Sequence, residues 1–356
     1  MINQTISIKV TPTQEPKIDA VDWENLPFGK VFSDHMLVMD YKDGAWQDAE
    51  IIPFGPIAMH PAMSAIHYGQ SIFEGLKANK SDNGDLLIFR PDMNAKRFIE
   101  SAERMCMPAI PEDVFVELVR KLVEVESNWI PSKEGYSLYI RPFMFATDEF
   151  IGIRPSETYR FVIFTCPVGA YYSEPVNVKI EEHYTRASEG GVGRAKVAGN
   201  YGAALAPARI GQQNGYHQLL WTDGKTHEYI EESGTMNIVF VINGVVVTPS
   251  EDADTILRGV TKRSVVELAQ HWGIPVEERR ITVKEIVEAN KNGTLTEAFG
   301  AGTAATIAHI AKIGFRDGDL ILPPIEGRTF SNRVFAYLND LKVGKAEDPF
   351  GWMLKV

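Results

Sequence analysis

The segment from Arg186 to Gly202, RASEGGVGRAKVAGNYG, is the stretch from which the fold and the chemistry of this chain are inferred. Gly190, Gly191 and Gly193 let the backbone approach another group closely. Lys196 follows among small apolar residues, which solvate an ammonium group poorly. A lysine kept neutral in such surroundings can act as a nucleophile, as Schiff-base chemistry requires. The alternative interpretation is a surface lysine on a glycine-rich loop.

Two carboxylates stand directly before an apolar strand in the segment EESGTMNIVF, from Glu231 to Phe240. Acids at a strand end are commonly solvated, and that is one interpretation of this pair. A carboxylate that points inward needs a cationic partner, because an isolated buried charge is costly. The protonated ring nitrogen of pyridoxal phosphate is a partner of this kind.

Two further segments offer sites for anions. The run from Leu257 to Thr261 opens a predicted helix, and the start of a helix presents free N–H groups to a phosphate. Arg97, on a helix predicted to begin at Pro91, either adds a counter-charge or is solvated. The turn FGAGTAAT, residues 299–306, has small residues whose N–H groups can hold a carboxylate. An ordinary helix start and a tight turn in the core are the alternatives for these segments.

The composition excludes several classes of protein. The 356 residues suffice for two domains, and the 44% hydrophobic and 23% charged residues are typical of a globular chain. The net charge of -11 argues against nucleic-acid and anionic-membrane partners. We find no apolar window of about 18 residues and no signal-peptide pattern. Two cysteines, Cys106 and Cys166, argue against a disulfide scaffold and favour a cytoplasmic location, and no histidine spacing predicts a metal site.

The order of predicted elements indicates an α+β protein with two domains, because regular βαβα alternation is absent. The predicted parts are an N-terminal arm (1–30) that packs late or frays, a small α/β domain (31–168), an interdomain loop (169–176) and a large α/β domain (177–356). Strands are predicted over residues 36–41, 85–89, 137–145, 159–168, 176–180, 237–241 and 245–247. Helices are predicted from Pro91, from Pro111 to Pro131, from Gly259 to Gly273 and after a Thr282–Glu285 capping box, with a hairpin turn at Asn243-Gly244.

Together these segments resemble the branched-chain aminotransferases of the fold type IV pyridoxal-phosphate class, especially the longer type typified by the mammalian enzymes. The resemblance runs from about Phe28 to the C-terminus. It passes in order through FGKVFSDHM (28–36), HYGQSIFEGLKA (67–78), SLYIRP (137–142), CPVGAYY (166–172), GGVGRAKVAGNYG, EESGTMN, RGVTKRS and FGAGTA. The chain is therefore identified as a member of this family, with the two-domain fold that membership implies.

The resemblance implies pyridoxal 5'-phosphate as the cofactor and a role for each matching residue. Lys196 matches the lysine of the internal aldimine, Glu232 the carboxylate that faces the pyridine nitrogen, and Tyr201 the tyrosine bonded to the phenolic oxygen. The implied phosphate site consists of Arg97, the helix start at Gly259, Val260 and Thr261, and a further contact from Thr303.

The implied substrate site has a turn at Thr303 and Ala304 for the α-carboxylate. The residues that match the wall of its side-chain pocket are Phe28, Tyr68, Phe73, Tyr139, Tyr171 and Thr235. Arg141 shares a strand face with Tyr139, so a guanidinium is expected to meet the γ-carboxylate of glutamate. A structural arginine before Pro142 is the alternative. Ile151 and Ile153 match positions supplied by a neighbouring subunit, which implies a homodimer.

The implied reaction is ping-pong transamination of L-leucine, L-isoleucine and L-valine with 2-oxoglutarate. The expected partners are thus amino acids and 2-oxo acids. The alternatives are a D-amino-acid aminotransferase or aminodeoxychorismate lyase of the same fold, and a non-catalytic ligand-binding relative. Ala305 and Ala308 occupy the places of the mammalian Cys-x-x-Cys pair, so thiol–disulfide regulation is not expected there.

Overall fold

The structure is a computed structural model that describes residues 6–169, 174–316 and 318–356. Its contacts divide the chain into two compact units, here called unit 1 and unit 2. None of the described helices is long and apolar enough to cross a membrane. The predicted α+β class is confirmed, since helices and two mixed sheets alternate irregularly along the chain.

Unit 1 contains residues 6–169, Ala195–Ala198 and Asp340–Val356, and unit 2 contains residues 174–194 and Gly199–Asn339. The predicted domains follow the chain without interruption, whereas unit 1 also takes two later segments. Both segments join unit 1 through backbone pairing with its strands. Such pairing depends on residues far away in the sequence, so no local pattern reveals it.

The first half of the chain builds one sheet and the helices that pack against it. Its strands are β1 (Ile8–Val10), β2 (His35–Lys42), β3 (Ala45–Trp46), β4 (Ala49–Pro53), β5 (Ser71–Phe73), β6 (Leu76–Lys80), β7 (Leu86–Phe89), β8 (Ser137–Ala146) and β9 (Tyr159–Val168). Its helices are α1 (Ser64–Tyr68), α2 (Pro91–Arg104) and α3 (Glu112–Val125). The strand order is β1-β4-β2-β9-β8-β6-β7, with β3 paired to β2 and β5 paired to β8.

Helices α2 and α3 pack on this sheet through aromatic side chains. Pro91 occupies the first turn of α2, where its missing N–H costs nothing. Phe98 of α2, Phe115 of α3 and Phe161 of β9 are fully buried, with ring centroids 5.2 to 5.9 Å apart. Helix α3 ends at Val125 and not at the predicted Pro131, because a short 3-10 turn follows it.

The described part of the N-terminal arm, residues 6–30, is held in place by contacts with unit 1, contrary to the predicted fraying. Its strand β1 pairs in parallel with β4. Further along, the Thr13 N–H donates to His35 Nε2 at 2.9 Å, and the Lys17 N–H donates to Asp34 Oδ1 at 2.8 Å. These partners satisfy backbone groups of the arm, which is why a polar, proline-containing stretch is ordered.

The second half of the chain builds the other sheet. Its strands are β10 (Val176–Ile180), β11 (Gln218–Thr222), β12 (Tyr229–Ser233), β13 (Met236–Ile242), β14 (Val245–Thr248), β15 (Val276–Glu278), β16 (Ile281–Thr282), β17 (Leu295–Gly302), β18 (Thr306–Phe315) and β19 (Gly318–Ile321). Its helices are α4 (Ala198–Gln213), α5 (Val260–His271), α6 (Val283–Lys291) and α7 (Phe330–Lys342). The last strand, β20 (Met353–Lys355), returns to pair with β7.

The strand order of this sheet is β15-β14-β13-β17-β18-β10-β11-β12-β16, with β19 paired to β18. An additional pairing of β12 with β13 closes six strands into a ring. Buried apolar residues of these strands, such as Ile238, Phe240 and Ile310, form the core of unit 2. The closure places the end of β12 directly beside the start of β13.

Local signals in this half behave as the sequence predicts, with two differences. Asn243 and Gly244 both have positive φ, +52° and +76°, as a tight hairpin turn requires. The Thr282 hydroxyl accepts from the Glu285 N–H at 3.0 Å, but the Glu285 carboxylate pairs with Arg279, so only half of the capping box forms. Helix α4 is not predicted, because its three glycines and Pro207 disfavour a helix.

Candidate functional site

Lys196 lies in the short segment of unit 1 that runs beside β5. Val197 bridges to Ile72, the Phe73 N–H donates to the Lys196 carbonyl at 3.1 Å, and the Lys196 N–H donates to Ser101 Oγ at 3.0 Å. The Lys196 Nζ atom stands 4.6 Å from the centroid of the Phe73 ring. The backbone of this lysine is thus fixed on both sides, and its side chain is half-buried.

Arg97 is buried on α2 and forms a bidentate ion pair with Glu74. Its Nε and Nη2 atoms donate to the two Glu74 oxygens at 2.7 and 2.8 Å, and Asn94 donates a third bond at 2.7 Å. Burial acts to raise the pKa of Glu74, but the charge and hydrogen bonds of Arg97, with the charge of Lys196, lower it below its ordinary value. The solvated alternative for Arg97 is wrong. Glu74 was not predicted, although it stands alone among apolar residues in the motif SIFEGL.

An aromatic and cationic cluster occupies one face of β8. Arg141 Nη2 donates to the Tyr139 hydroxyl at 2.9 Å, which confirms that the two side chains share a face. The Arg141 guanidinium also lies 4.8 Å from the Phe73 ring centroid, and the Phe28 ring meets Tyr139 edge-on at 5.1 Å. A Cβ atom at Gly75 would stand 2.2 Å from the Tyr139 hydroxyl, so only glycine leaves room for this tyrosine.

Four predicted substrate-site residues of unit 1 are exposed, and Phe28 is one of them, with 40% of its surface accessible. Tyr68 ends α1 with 46% of its surface accessible, while Ile151 and Ile153 are 62% and 94% exposed. Tyr171 falls outside the described residues. Phe28 nevertheless contacts Tyr139 in the cluster around Phe73, whereas Tyr68, Ile151 and Ile153 remain on the surface of the single chain.

In unit 2, Glu232 is buried at the place where β12 and β13 close the ring. Its Oε2 atom lies 2.9 Å from Nε of Arg186, and its Oε1 atom accepts from the Leu257 N–H at 2.8 Å and from Asn237 Nδ2 at 3.2 Å. Glu231 is buried as well, so the interpretation of two solvated strand-end acids is wrong. Arg186 was not assigned a role, although it is the first residue of the glycine-rich segment quoted above.

Helix α5 begins beside this carboxylate with an uncapped N-terminus. Gly259 is the residue before the helix, and among the described residues no side-chain cap of this helix start is found. A Cβ atom at Gly259 would stand 1.8 Å from Asn237 Oδ1, so the close approach requires glycine. Val260 and Thr261 follow, and both are buried. The arrangement suits an anion, since free N–H groups and the positive end of the helix dipole meet there.

Two tight turns lie at the same end of β13 and β17. Gly234, with φ +58°, and Thr235 connect β12 to β13. Met236 then packs on the opposite strand, where Cβ atoms at Gly300 and Gly302 would approach it to 2.6 and 3.0 Å. This packing explains the glycines of the FGAGTA motif, which lie in β17 and not in a turn, while the predicted alternative of packing against the core agrees with the contact to Met236.

The predicted carboxylate-binding residues Thr303 and Ala304 form the tip of the β17–β18 hairpin. Thr306 follows with φ +62°, a conformation that side chains rarely adopt. Tyr201 lies in the first turn of α4 and is half-buried. In unit 2 the pairing thus gathers Glu232, Thr235, the start of α5 and the Thr303 hairpin around the beginning of β13.

The chain matches the family model described as amino-transferase class IV over residues 71–313. It is 43% identical to branched-chain-amino-acid aminotransferase 2 of Bacillus subtilis (strain 168), across 100% of this chain and 98% of that relative. It is 38% identical to the branched-chain-amino-acid aminotransferase of Mycolicibacterium smegmatis, across 99% of this chain and 98% of that relative.

Solved structures of branched-chain aminotransferases have the same fold as this chain. The branched-chain amino acid aminotransferase of Escherichia coli superposes with a TM-score of 0.73 at 25% identity, covering 90% of this chain and 98% of that one. The fold is also that of the T.th. branched-chain amino acid aminotransferase with pyridoxamine 5'-phosphate, with a TM-score of 0.72, 24% identity and coverage of 89% and 97%. The chain therefore belongs to the class IV aminotransferases, as an enzyme of the branched-chain-amino-acid aminotransferase family.

Proposed function

We propose that this enzyme transfers the amino group of L-leucine, L-isoleucine and L-valine to 2-oxoglutarate. The observation that carries the proposal is the cluster around Phe73, where aromatic rings surround one guanidinium. The rings suit a branched aliphatic side chain. The Arg141 Nε atom is buried and has no hydrogen-bond acceptor among the described residues, so a second carboxylate would complete it. One pocket can thus accept both leucine and glutamate.

Pyridoxal 5'-phosphate is the cofactor of fold type IV aminotransferases, and the residues present here fit it. The open start of α5 at Gly259, Val260 and Thr261 is suited to the phosphate, with Arg97 and Thr303 assigned as further contacts. Glu232 is assigned to the ring nitrogen and Tyr201 to the phenolic oxygen. When bound, the cofactor supplies an electron sink for the carbon that loses its proton.

Lys196 is assigned two tasks, covalent attachment of the cofactor and transfer of the proton from the substrate α-carbon. Its fixed backbone and its position over Phe73 hold the amine at one place. Glu74 is already committed to Arg97, so we assign the proton transfer to the amine and not to this carboxylate. The turn at Thr303 and Ala304 is assigned to the substrate α-carboxylate.

Reductive labelling tests this assignment. Borohydride reduction of the yellow protein followed by peptide mapping should find the cofactor on Lys196. Lys196→Ala should keep part of its cofactor through the phosphate contacts and lose transamination. Label on another lysine would contradict the assignment, and a D-amino acid product would favour a D-amino-acid aminotransferase of the same fold.

We also propose that the enzyme is a homodimer in the cytoplasm. Ile151 and Ile153 are exposed apolar residues, as expected of positions that reach a partner's site. Unit 1 also carries an open apolar cavity of about 480 Å³, whose lining includes Phe54, Ile57, Met59, Ile66, Phe143 and Phe145. Both cysteines are free, as is usual in a reducing compartment.

A further inference from the structure

Glu231, the neighbour of Glu232 on β12, is a buried acid to which the proposed reaction gives no task. It is 6% exposed, although it directly precedes a residue whose side chain is also buried. Its Oε1 atom accepts a hydrogen bond of 2.6 Å from the Thr255 hydroxyl. Its Oε2 atom is buried and has no hydrogen-bond partner among the described residues. Burial of a carboxyl oxygen without a partner lowers the stability of the fold, so the contacts of Glu231 need an explanation.

Thr255 is the junction between Glu231 and the partners of Glu232. Its carbonyl accepts a short hydrogen bond from Arg186 Nη2, and Arg186 is the cation paired with Glu232. Two residues later, the Leu257 N–H donates to Glu232. The segment 255–257 therefore holds both the guanidinium and an N–H group at one carboxylate.

The backbone of Thr255 is also packed against the glycine-rich segment. A Cβ atom at Gly193 would stand 2.7 Å from the Thr255 carbonyl oxygen and 2.9 Å from its Cα atom. The close approach leaves Thr255 little freedom on that side. On the other side, the Thr255 hydroxyl donates a hydrogen bond to Glu231, and this bond holds the Thr255 side chain.

The charges around Glu231 favour its neutral form. Burial raises its pKa, and the negative charges of Glu232 and Asp223 act in the same direction, while the Thr255 hydrogen bond and Arg186 oppose them. The raised pKa means that Glu231 carries its negative charge less readily than an ordinary carboxyl group and so competes less with Glu232 for Arg186.

We propose that Glu231 is a positioning residue, which holds Thr255 so that Arg186 and the Leu257 N–H stay on Glu232. The inference rests on the proposed function for the statement that Glu232 serves the cofactor. The network itself lies within unit 2 and can be tested on protein without cofactor.

A double-mutant cycle tests the network. We expect Glu231→Ala and Thr255→Val each to weaken pyridoxal phosphate binding about tenfold, and the double variant to weaken it by about the same factor, because both remove one hydrogen bond. Glu231→Gln and Thr255→Ser keep the bonding atoms and should stay within about twofold of the wild type. The free energies of unfolding of the same variants are measured in urea on the cofactor-free chains, which gives a second double-mutant cycle.

Glu297→Gln is the matched control, since Glu297 is equally buried in unit 2 but binds the Phe330 and Ser331 N–H groups. It should lower stability without changing cofactor affinity or the pH titration of the cofactor's visible band, whereas Glu231→Ala should shift that titration. The proposal would be overturned if Glu231→Ala and Thr255→Val had additive effects on cofactor affinity. It would also be overturned if Glu231→Gln bound the cofactor as weakly as Glu231→Ala. If the wild type takes up no cofactor, the proposed function fails, and the unfolding cycle alone decides for or against the network.

Discussion

At the scale of single residues, the structure separates groups that share a charge but not an environment. Arg97 forms a bidentate pair with Glu74, whereas Arg141 donates through Nη2 to the Tyr139 hydroxyl and, among the described residues, no acceptor meets its Nε atom. An arginine already paired with a buried carboxylate has a fixed position. Arg141 has a buried Nε–H group without an acceptor among the described residues, so it is suited to bind an anionic group of a ligand.

Replacement of Arg141 by glutamine should therefore separate the two kinds of substrate. A charge-assisted hydrogen bond is worth roughly 1.5–3 kcal/mol, so kcat/KM for glutamate and 2-oxoglutarate should fall about ten- to hundredfold. The value for leucine should change much less. Steady-state kinetics with both donors measures this, and an equal loss for the two would assign Arg141 to the structure of the site.

At the scale of elements, helix ends and strand ends do most of the positioning. Gly259 starts α5, the Thr303 hairpin ends β17, and Gly234 turns β12 into β13. The C-terminal end of α7 offers a different case. Lys342 is 6% exposed there, its Nζ atom lies 5.3 Å from the Phe89 ring, and burial together with the charge of Lys77 lowers its pKa to about 7.

This lysine should make stability depend on pH in a defined direction. The pKa of Lys342 is lower in the folded chain than its ordinary value of 10.5. Burial of this lysine therefore does not lower the free energy of unfolding above pH 10.5, but it lowers it increasingly as the pH falls from 10.5 towards 7. Lys342→Met should therefore be more stable than the wild type at pH 7, with a difference that shrinks towards pH 10. Urea unfolding across this range measures it. Lys345→Met is the control, since Lys345 is half-exposed, and a constant gap for Lys342→Met would contradict the argument.

At the scale of the whole molecule, the exposed isoleucines predict a site that two chains complete. If Ile151 and Ile153 serve a partner's site, the double alanine variant should lose activity towards leucine, because the site then lacks part of its apolar wall. A mixture with Lys196→Ala, formed by co-expression, should regain part of the activity, since one site in each mixed dimer is intact.

Sedimentation gives the oligomeric state. A mixture as inactive as its components would contradict a shared site, and Ile321→Ala, exposed in unit 2, is the control.

The sequence by itself determined the family, the α+β class and most elements, because these depend on neighbours along the chain. Strand 159–168 has its predicted bounds, the Asn243-Gly244 turn forms, and helices begin where Pro91 and Gly259 indicate. Alternation along β8 was likewise enough to place Tyr139 and Arg141 on one face. Each of these signals acts over a few residues.

Only the tertiary structure decided which charges are buried and what they meet. Glu74 meets Arg97 because β5 packs beside α2, and Arg186 meets Glu232 because β12 closes on β13. The order of the N-terminal arm and the return of β20 to β7 are decided in the same way. The physical reason is that an ion pair or a strand pairing needs a partner distant in sequence, and its burial follows from the closure that brings the two together.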